Sequence, residues 1–257
     1  MGFSDWFDRP PKSSRRAHLV SAASIPPEFG TMQVLDLPEG QWVRDDKGAV
    51  VGWITTGPVE KGLWQRLMDA HPTTGLWPVA ARGLGADIER PWLEQELTRD
   101  DTVPAESAEP LLNKQFHYLL AFDDDDPEEL DSWRGLAPAS TASEIPLMIG
   151  DISNLLLVPV ARAADVPWRV GWTGPVNYEL SGTDVSTVLR SWEERFGATL
   201  VEIGFDTLTL LVRRRIDKGV ARWIAHEHLA FCPDNASVPV NVYKDAVLAP
   251  TWHFWWD

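Results

Sequence analysis

Cysteine, tyrosine and cationic side chains are scarce in this 257-residue sequence, and it contains no long apolar run. Cys232 is the only cysteine, which excludes an intramolecular disulfide and a zinc site built from several cysteines. No stretch of about eighteen consecutive apolar residues occurs, so no segment is predicted to span a membrane. The first residues also lack the apolar core of a secretory signal, and we therefore expect a cytoplasmic protein.

The shortage of cations gives the chain a strongly negative balance. Lysine and arginine number 23 against 38 aspartates and glutamates, for a formal net charge of −15. Binding to nucleic acid or to an anionic membrane requires clustered cations, so neither partner is expected. An acidic surface favours a basic protein partner, although many proteins are acidic for solubility alone.

The common catalytic motifs are also missing. Gly83 and Gly85 begin a dinucleotide-binding pattern, but its third glycine would fall at Ile88. There is no phosphate-binding P-loop and no serine nucleophile elbow. No cofactor is therefore predicted.

Composition divides the chain into four regions. Residues 1–30 are rich in proline, serine and charge and are predicted to be a flexible arm, followed by a smaller α+β region over 31–120. Residues 121–150 are predicted to be an acidic loop and linker. They contain the run DDDDPEELD at 123–131, whose spacing does not fit a calcium-binding EF-hand and favours a solvated loop. A C-terminal α+β domain is predicted over 151–257.

Turn residues and apolar spacing predict short elements in the N-terminal region. The predicted strands are Met32–Leu35, Gln41–Arg44, Ala49–Ile54 and a short one within residues 73–79. The predicted helices are Glu60–Ala70, Pro91–Leu97 and Ala105–Leu120.

The C-terminal region has the clearest patterns. A helix is predicted to begin after Ser181, the N-cap, and to end at Gly197, with one apolar stripe facing the core. A second helix is predicted over Lys218–Phe231, and a third, short one near Val242–Leu248. Strands are predicted at Leu155–Val160, Trp168–Trp172, Ala198–Ile203 and Thr207–Arg213, and in the aromatic terminus 251–257. The resulting order is β-β-α-β-β-α-β, which predicts an α+β fold with a mixed, mostly antiparallel sheet and helices on one face.

Four stretches of this region carry a resemblance to a known family: VLRSWEERFGA (188–198), DTL (206–208), EHLAFCPD (227–234) and WHFWWD (252–257). On these residues the C-terminal part, about 152–257, resembles a bacterial family of unknown function, domain number 4253 in that series. The sequence departs from the family at 171–177, where a glycine-rich Trp-Asn turn is typical. The resemblance implies a shared fold and supplies no catalytic residues.

Glu227 is the most unusual polar residue, because it interrupts the apolar stripe of the second C-terminal helix. A buried carboxylate is a candidate for acid–base chemistry, and Asp234 is its candidate partner. The alternative is a structural role in which Glu227 accepts a tryptophan N–H or pairs with an arginine from the sheet.

Two further positions are candidate ligand-binding or partner-binding residues. His228 lies four residues before Cys232, so both face one side of a helix, but the ligand spacing of a metal site is absent and none is predicted. Asp257 follows three tryptophans and one phenylalanine, and it is expected either to pair with Arg213, Arg214 or Arg215 or simply to close the sheet.

These observations favour a non-catalytic binding protein, of the immunity or adaptor kind, with an acidic, tryptophan-rich surface for a basic protein partner. The alternative is a small-ligand-binding protein or an enzyme that uses the region of Glu227 and Asp234. A purely structural or assembly role remains the third hypothesis.

Overall fold

A computed structural model describes residues 25–85, 88–122, 132–236 and 240–257. Its strands are β1 (Gly40–Arg44), β2 (Val50–Thr55), β3 (Leu76–Ala81), β4 (Leu155–Pro159), β5 (Ala198–Ile203), β6 (Thr207–Val212) and β7 (Thr251–Trp255). Its α-helices are α1 (Leu63–Thr74), α2 (Glu109–Phe122), α3 (Val166–Val170), α4 (Gly182–Phe196), α5 (Ala221–Phe231) and α6 (Val240–Ala246). Short 3₁₀ helices lie at Pro27–Val34, Ala163–Asp165, Val176–Tyr178 and Pro233–Ala236. The predicted α+β class is confirmed.

All seven strands form one mixed sheet in the order β1-β2-β4-β3-β5-β6-β7. Only the β3–β5 pair is parallel, and the other neighbours are antiparallel. Strand β4, from the C-terminal region, lies between β2 and β3, from the N-terminal region. Strands from both predicted regions therefore share one sheet, and β7 forms one of its two edges.

Strand β4 shows how the sheet separates two apolar clusters. Leu156 and Val158 belong to the larger cluster, which includes buried residues of α2, α4 and α5. Leu155 and Leu157 belong to the smaller cluster, which includes buried residues of α1. The helices of the C-terminal part therefore pack on one face of the sheet, and α1 packs on the other.

Helix α4 forms as its sequence predicts. Ser181 and Asp184 make a reciprocal capping box, in which each side chain accepts a hydrogen bond from the other's backbone N–H. Gly197 ends the helix at φ 64°, in the left-handed conformation that favours glycine. Since α4 carries residues of the candidate site, this well-defined helix fixes their positions.

The predicted strand at Trp168–Trp172 is wrong, because Val166–Val170 is helix α3. Pro167 occupies its first turn, where a missing N–H costs nothing, and the Trp168 N–H donates to the Ser186 hydroxyl at 2.9 Å. The apolar residues Trp168, Val170 and Trp172 fit a strand in sequence. Val166 and Val170, however, are both buried and four residues apart, which is helical spacing.

Two N-terminal predictions are also wrong. Residues 32–34 belong to a 3₁₀ helix rather than a strand, with Phe29 and Met32 buried three residues apart. Residues 91–95 form turns rather than a helix, and residues 96–97 have no regular secondary structure. Gln95 has φ 59° there, a left-handed conformation that interrupts helical hydrogen bonding.

The predicted β1–β2 hairpin, α1, α2 and the C-terminal hairpin β5–β6 are confirmed within a few residues. Residues 1–24 of the predicted arm and the acidic run at 123–131 lie outside the described residues. Residues 27–30 of the predicted arm belong to the 3₁₀ helix Pro27–Val34, in which Phe29 is buried. Within the described part, no helix combines the length and apolar character needed to cross a bilayer.

Candidate functional site

Glu227 lies at the centre of a closed polar network between α4, α5 and the linker. Its Oε1 accepts hydrogen bonds from the Ala137 N–H at 2.7 Å and from Arg195 Nη1 at 2.8 Å. Its Oε2 accepts from Trp192 Nε1 at 2.8 Å and from Arg195 Nη2 at 2.5 Å. The side chain is fully buried, so all its hydrogen-bond partners are supplied by the protein.

This arrangement contains both structural partners that the sequence suggested, an indole and an arginine. Both come from α4 rather than from the sheet, and they lie three residues apart on the same side of that helix. Each carboxylate oxygen already accepts two hydrogen bonds, which leaves no direction open toward a substrate. The geometry therefore fits a carboxylate that locks two helices and the linker together.

His228 lies next to Glu227 in sequence but faces an aromatic pocket. Its ring centroid is 4.4 Å from that of Trp252 and 4.9 Å from those of Trp192 and Phe254. Its Nδ1 is 3.2 Å from the Tyr243 hydroxyl. Burial, with a smaller contribution from the charge of Arg195, lowers the pKa of His228 to about 3, which keeps the imidazole neutral.

Cys232 and the 3₁₀ helix Pro233–Ala236 cover the outer edge of β7 and bond to its backbone carbonyls. The thiol donates to the Trp255 carbonyl at 3.0 Å, and Asn235 Nδ2 donates to the His253 carbonyl at 2.9 Å. Burial raises the pKa of the Cys232 thiol to about 12. His228 and Cys232 thus contact different groups, the Tyr243 hydroxyl and the Trp255 carbonyl. Among the described residues, no three metal-binding side chains lie close enough together to hold an ion.

Asp234 and Asp257 are brought together at the end of β7. Asp234 Oδ2 accepts the Asp257 backbone N–H at 2.9 Å, and Oδ1 accepts the Tyr178 hydroxyl at 2.6 Å. Burial, this hydrogen bond and the nearby negative charges raise the pKa of Tyr178, which therefore remains a neutral donor at pH 7. Asn177 Nδ2 in turn donates to the Asp257 carbonyl at 2.9 Å.

Of the two alternatives for Asp257, pairing with Arg213, Arg214 or Arg215 is wrong. Strands β6 and β7 are antiparallel, with Thr207 opposite Trp255 and Leu211 opposite Thr251. Asp257 therefore lies at the start of β6, whereas the three arginines follow its end. Arg213 and Arg214 instead pair with Glu144, each at 2.8 Å.

Glu227 and Asp234 take part in separate networks. The first is enclosed by Trp192, Arg195 and Ala137, and the second is bonded to Tyr178 and Asp257. The geometry thus gives no support to an acid–base pair made from these two carboxylates.

Sequence reasoning missed Tyr178 and two acidic neighbours of the β7 end, Asp206 and Glu179. Asp206 lies beside the terminus because its carbonyl accepts the Trp256 N–H at 3.1 Å, and Glu179 directly follows Tyr178 and is exposed. The pairing of β6 with β7, which brings Asp206 beside the terminus, is a long-range contact that no local pattern indicated.

Most of the tryptophans fill the interior rather than the surface, which corrects the expectation of a tryptophan-rich surface. Eight are buried: Trp53, Trp64, Trp77, Trp92, Trp172, Trp192, Trp252 and Trp256. Trp255 is the exposed tryptophan of the described residues, at 44% exposure. It stands at the same end of β7 as Asp257, so this end combines an aromatic side chain with negative charge.

Comparison with known proteins bears on the C-terminal part of the chain. Neither a curated protein nor a solved structure matches this sequence. The family match begins at the start of β4 and includes α4, α5 and β7, and therefore the Glu227 network and the β7 end. Residues 154–257 match the family described as "Domain of unknown function (DUF4253)".

Proposed function

We propose that this protein is a non-catalytic binding protein whose acidic surface recognises a basic protein partner, in the manner of an immunity or adaptor protein. The proposed contact surface is the acidic edge, defined here as Glu179, Asp206, Asp234 and Asp257 around the exposed Trp255. Asp206, Asp234 and Asp257 meet at the end of β7 and the start of β6. Glu179 is exposed and directly follows Tyr178, whose hydroxyl donates to Asp234.

The observation that carries the proposal is uncompensated negative charge beside an exposed tryptophan. No salt bridge found within the described residues involves any of the four carboxylates. Val176, which is 63% exposed, adds a second apolar side chain next to Asn177. Tryptophan is a favoured anchor of protein interfaces, and surrounding carboxylates attract and orient a cationic partner.

The internal contacts of the acidic edge support binding by a prearranged surface. Asp234 is held by Tyr178 and by the Asp257 N–H, so its carboxylate keeps one orientation before a partner arrives. Trp255 lies on a strand whose neighbouring residues, Phe254 and Trp256, are buried. A fixed surface loses little conformational entropy on binding, which favours affinity.

The alternative, an enzyme or ligand-binding protein that uses Glu227 and Asp234, has less support. Glu227 is fully buried and accepts four hydrogen bonds from the protein, and Asp234 belongs to another network. A general base must reach a proton of its substrate, and a carboxylate enclosed in this way cannot do so without rearrangement.

The proposal is tested by native mass spectrometry of the tagged protein captured from its own cells at low salt. The captured partner is identified, purified and titrated with wild type and with the double variant Glu179→Gln/Asp257→Asn. We expect a stoichiometric partner with net positive charge, and a dissociation constant at least about tenfold weaker for the variant.

A matched control removes two exposed carboxylates from the opposite edge of the sheet, in the variant Asp36→Asn/Glu39→Gln. Both residues precede β1 and are exposed. The control has the same net charge as the test variant and should bind within about twofold of wild type. Capture of the protein without any partner, or equal weakening by both variants, would contradict the proposal.

A further inference from the structure

Residues 213–222 reverse the charge of the chain locally. The segment RRRIDKGVAR holds five cationic side chains and one carboxylate, within a protein whose net charge is −15. It connects β6 to α5 and crosses the C-terminal end of α4. Such a concentration of cations in an acidic protein calls for a partner of opposite charge, either within the fold or outside it.

Part of this positive charge is neutralised by the fold. Glu144 pairs with Arg213 and Arg214, and Arg214 Nη1 also donates to the Glu194 carbonyl at 2.7 Å. This last contact satisfies a carbonyl at the end of α4, where the helix dipole is negative. Arg213 and Arg214 therefore have structural partners.

Arg215 and Lys218 differ from them. Both are exposed, and neither takes part in a salt bridge found within the described residues. Asp217, the one carboxylate between them, accepts the Gly219 N–H at 2.6 Å. Asp217 is therefore bonded within its own turn, and Arg215 and Lys218 both face solvent.

Both cations line a groove of about 650 Å³ between this loop and linker residues 138–142. Its accessible apolar surface comes from Pro138, Ala139 and Val220, since Phe196 and Ile216 are buried. Ser140 and Thr141 add hydroxyl groups, and the Asp217 carboxylate also lines the groove. A volume of this size is typical of sites for small organic molecules. We name this feature the cationic groove.

The walls of the cationic groove are fixed to each other and to α4. The Ser140 hydroxyl donates to the Arg215 carbonyl at 2.7 Å, and the Ser140 N–H donates to the Arg195 carbonyl at 2.9 Å. The Ile145 N–H donates to the Arg213 carbonyl at 2.9 Å. The linker and the cationic loop are therefore held in register, and the groove exists before any ligand enters.

The geometry points to a second binding site, in which the cationic groove takes a small organic anion that joins a phosphate or carboxylate group to an apolar body. Arg215 and Lys218 meet the anionic group, since guanidinium and ammonium groups both bind these oxyanions. Pro138, Ala139 and Val220 cover the apolar body. This site is lined by two cationic side chains, and it is independent of the proposed acidic partner surface.

Isothermal titration with phenyl phosphate and with benzoate tests this inference and separates the two anion classes. Binding of the first alone assigns the site to phosphates, and binding of the second alone assigns it to carboxylates. Inorganic phosphate lacks the apolar body and benzyl alcohol lacks the anionic group, so each should bind at least about tenfold more weakly. Amide shifts of Ser140, Thr141 and Gly219 in two-dimensional NMR spectra locate the bound probe.

The test variant Arg215→Gln/Lys218→Gln should weaken binding at least about tenfold while leaving the thermal midpoint nearly unchanged, because both side chains are exposed. The matched control Arg44→Gln/Lys61→Gln removes two exposed cations near β1 and α1 and should bind like wild type. Failure of wild type to bind either probe at about 10 mM, or equal binding by both double variants, would overturn the inference.

Discussion

Arg195 and Glu227 form a buried, two-pronged ion pair that joins α4 to α5. Nη1 lies 2.8 Å from Oε1 and Nη2 lies 2.5 Å from Oε2, with the carboxylate fully buried and the arginine side chain 13% exposed. Arg195 Nη1 also donates to the Ala137 carbonyl at 2.9 Å, and the Ala137 N–H donates to Glu227. The pair therefore fixes the linker as well as the two helices, which makes Glu227 a determinant of the fold.

Replacing Glu227 by glutamine should destabilise the protein strongly. The amide keeps the shape of the side chain but leaves the Arg195 charge buried without its counterion, a loss that costs about 3 kcal/mol or more. Urea denaturation followed by tryptophan fluorescence measures the change in the free energy of unfolding.

Glu202→Gln is the matched control for this prediction. Glu202 pairs with Arg82 at 2.8 Å, but the Arg82 side chain is 69% exposed. Loss of this surface pair should cost less than about 1 kcal/mol. If Glu227→Gln proves as mild as the control, Glu227 is not a structural residue and a catalytic role regains support.

Truncation of two neighbouring residues of β7 should destabilise the protein to very different extents. Phe254 is fully buried, and its ring centroid lies 5.3 Å from those of Trp192 and Phe231. Phe254→Ala should lower the free energy of unfolding by about 3–5 kcal/mol, since it leaves a cavity in this aromatic cluster. Trp255→Ala, at a 44% exposed position on the other face, should cost less than about 1 kcal/mol.

Deletion of residues 252–257 should abolish cooperative folding, because it removes most of β7 together with the buried Trp252 and Trp256. Solubility and the thermal unfolding transition measure this outcome. A soluble truncated protein with a cooperative transition would show that β7 is dispensable for the core.

His228 should make folding sensitive to acid. In the unfolded chain an imidazole gains its proton near pH 6.5, whereas the pKa of folded His228 is about 3. Its contribution to stability is therefore complete above about pH 6.5 and is lost as the pH falls toward 3. The ring protons of His228 should keep their neutral chemical shifts from pH 8 to about pH 5 in NMR titrations of the folded protein.

The stability measurement for this residue compares wild type with His228→Leu. The slope of unfolding free energy against pH between about 6 and 4.5 should be smaller in the variant, by at most one proton. Titration of the His228 signals near pH 6.5 in the folded protein would contradict the buried, neutral imidazole.

Cys232 should be almost unreactive in the folded protein. Its thiol is buried, bonded to the Trp255 carbonyl, and has a pKa raised to about 12, so little thiolate forms near neutral pH. A colorimetric disulfide reagent should label it slowly in buffer and completely in urea. Rapid labelling under native conditions would show that the β7 edge opens readily, contrary to this structure.

The sequence was informative where local signals decide the structure. Ser181 and Gly197 predicted both ends of α4, and local patterns predicted the strands that form the β1–β2 and β5–β6 hairpins. The Trp168–Trp172 prediction failed because a short apolar run also fits a short helix, here Val166–Val170 with Pro167 in its first turn. Insertion of β4 between β2 and β3 depends on long-range pairing, which local patterns do not encode.

In the candidate sites, too, local sequence signals predicted single residues but not their long-range contacts. The position of Glu227 within an apolar stripe indicated that it is buried, but only the packing of α4 on α5 shows that Trp192 and Arg195 enclose it. The cationic run at 213–222 is visible in the sequence, yet the groove beside it depends on where residues 138–142 dock.

The central claim is that the acidic edge around Trp255 binds a basic partner, and the salt dependence of that complex tests it most directly. The dissociation constant of the purified partner is measured by calorimetry from about 50 to about 300 mM NaCl, for wild type and for Glu179→Gln/Asp257→Asn. The account predicts affinity that falls at least about tenfold over this range for wild type and less steeply for the variant. An affinity that is independent of salt, and equal for both proteins, would contradict it.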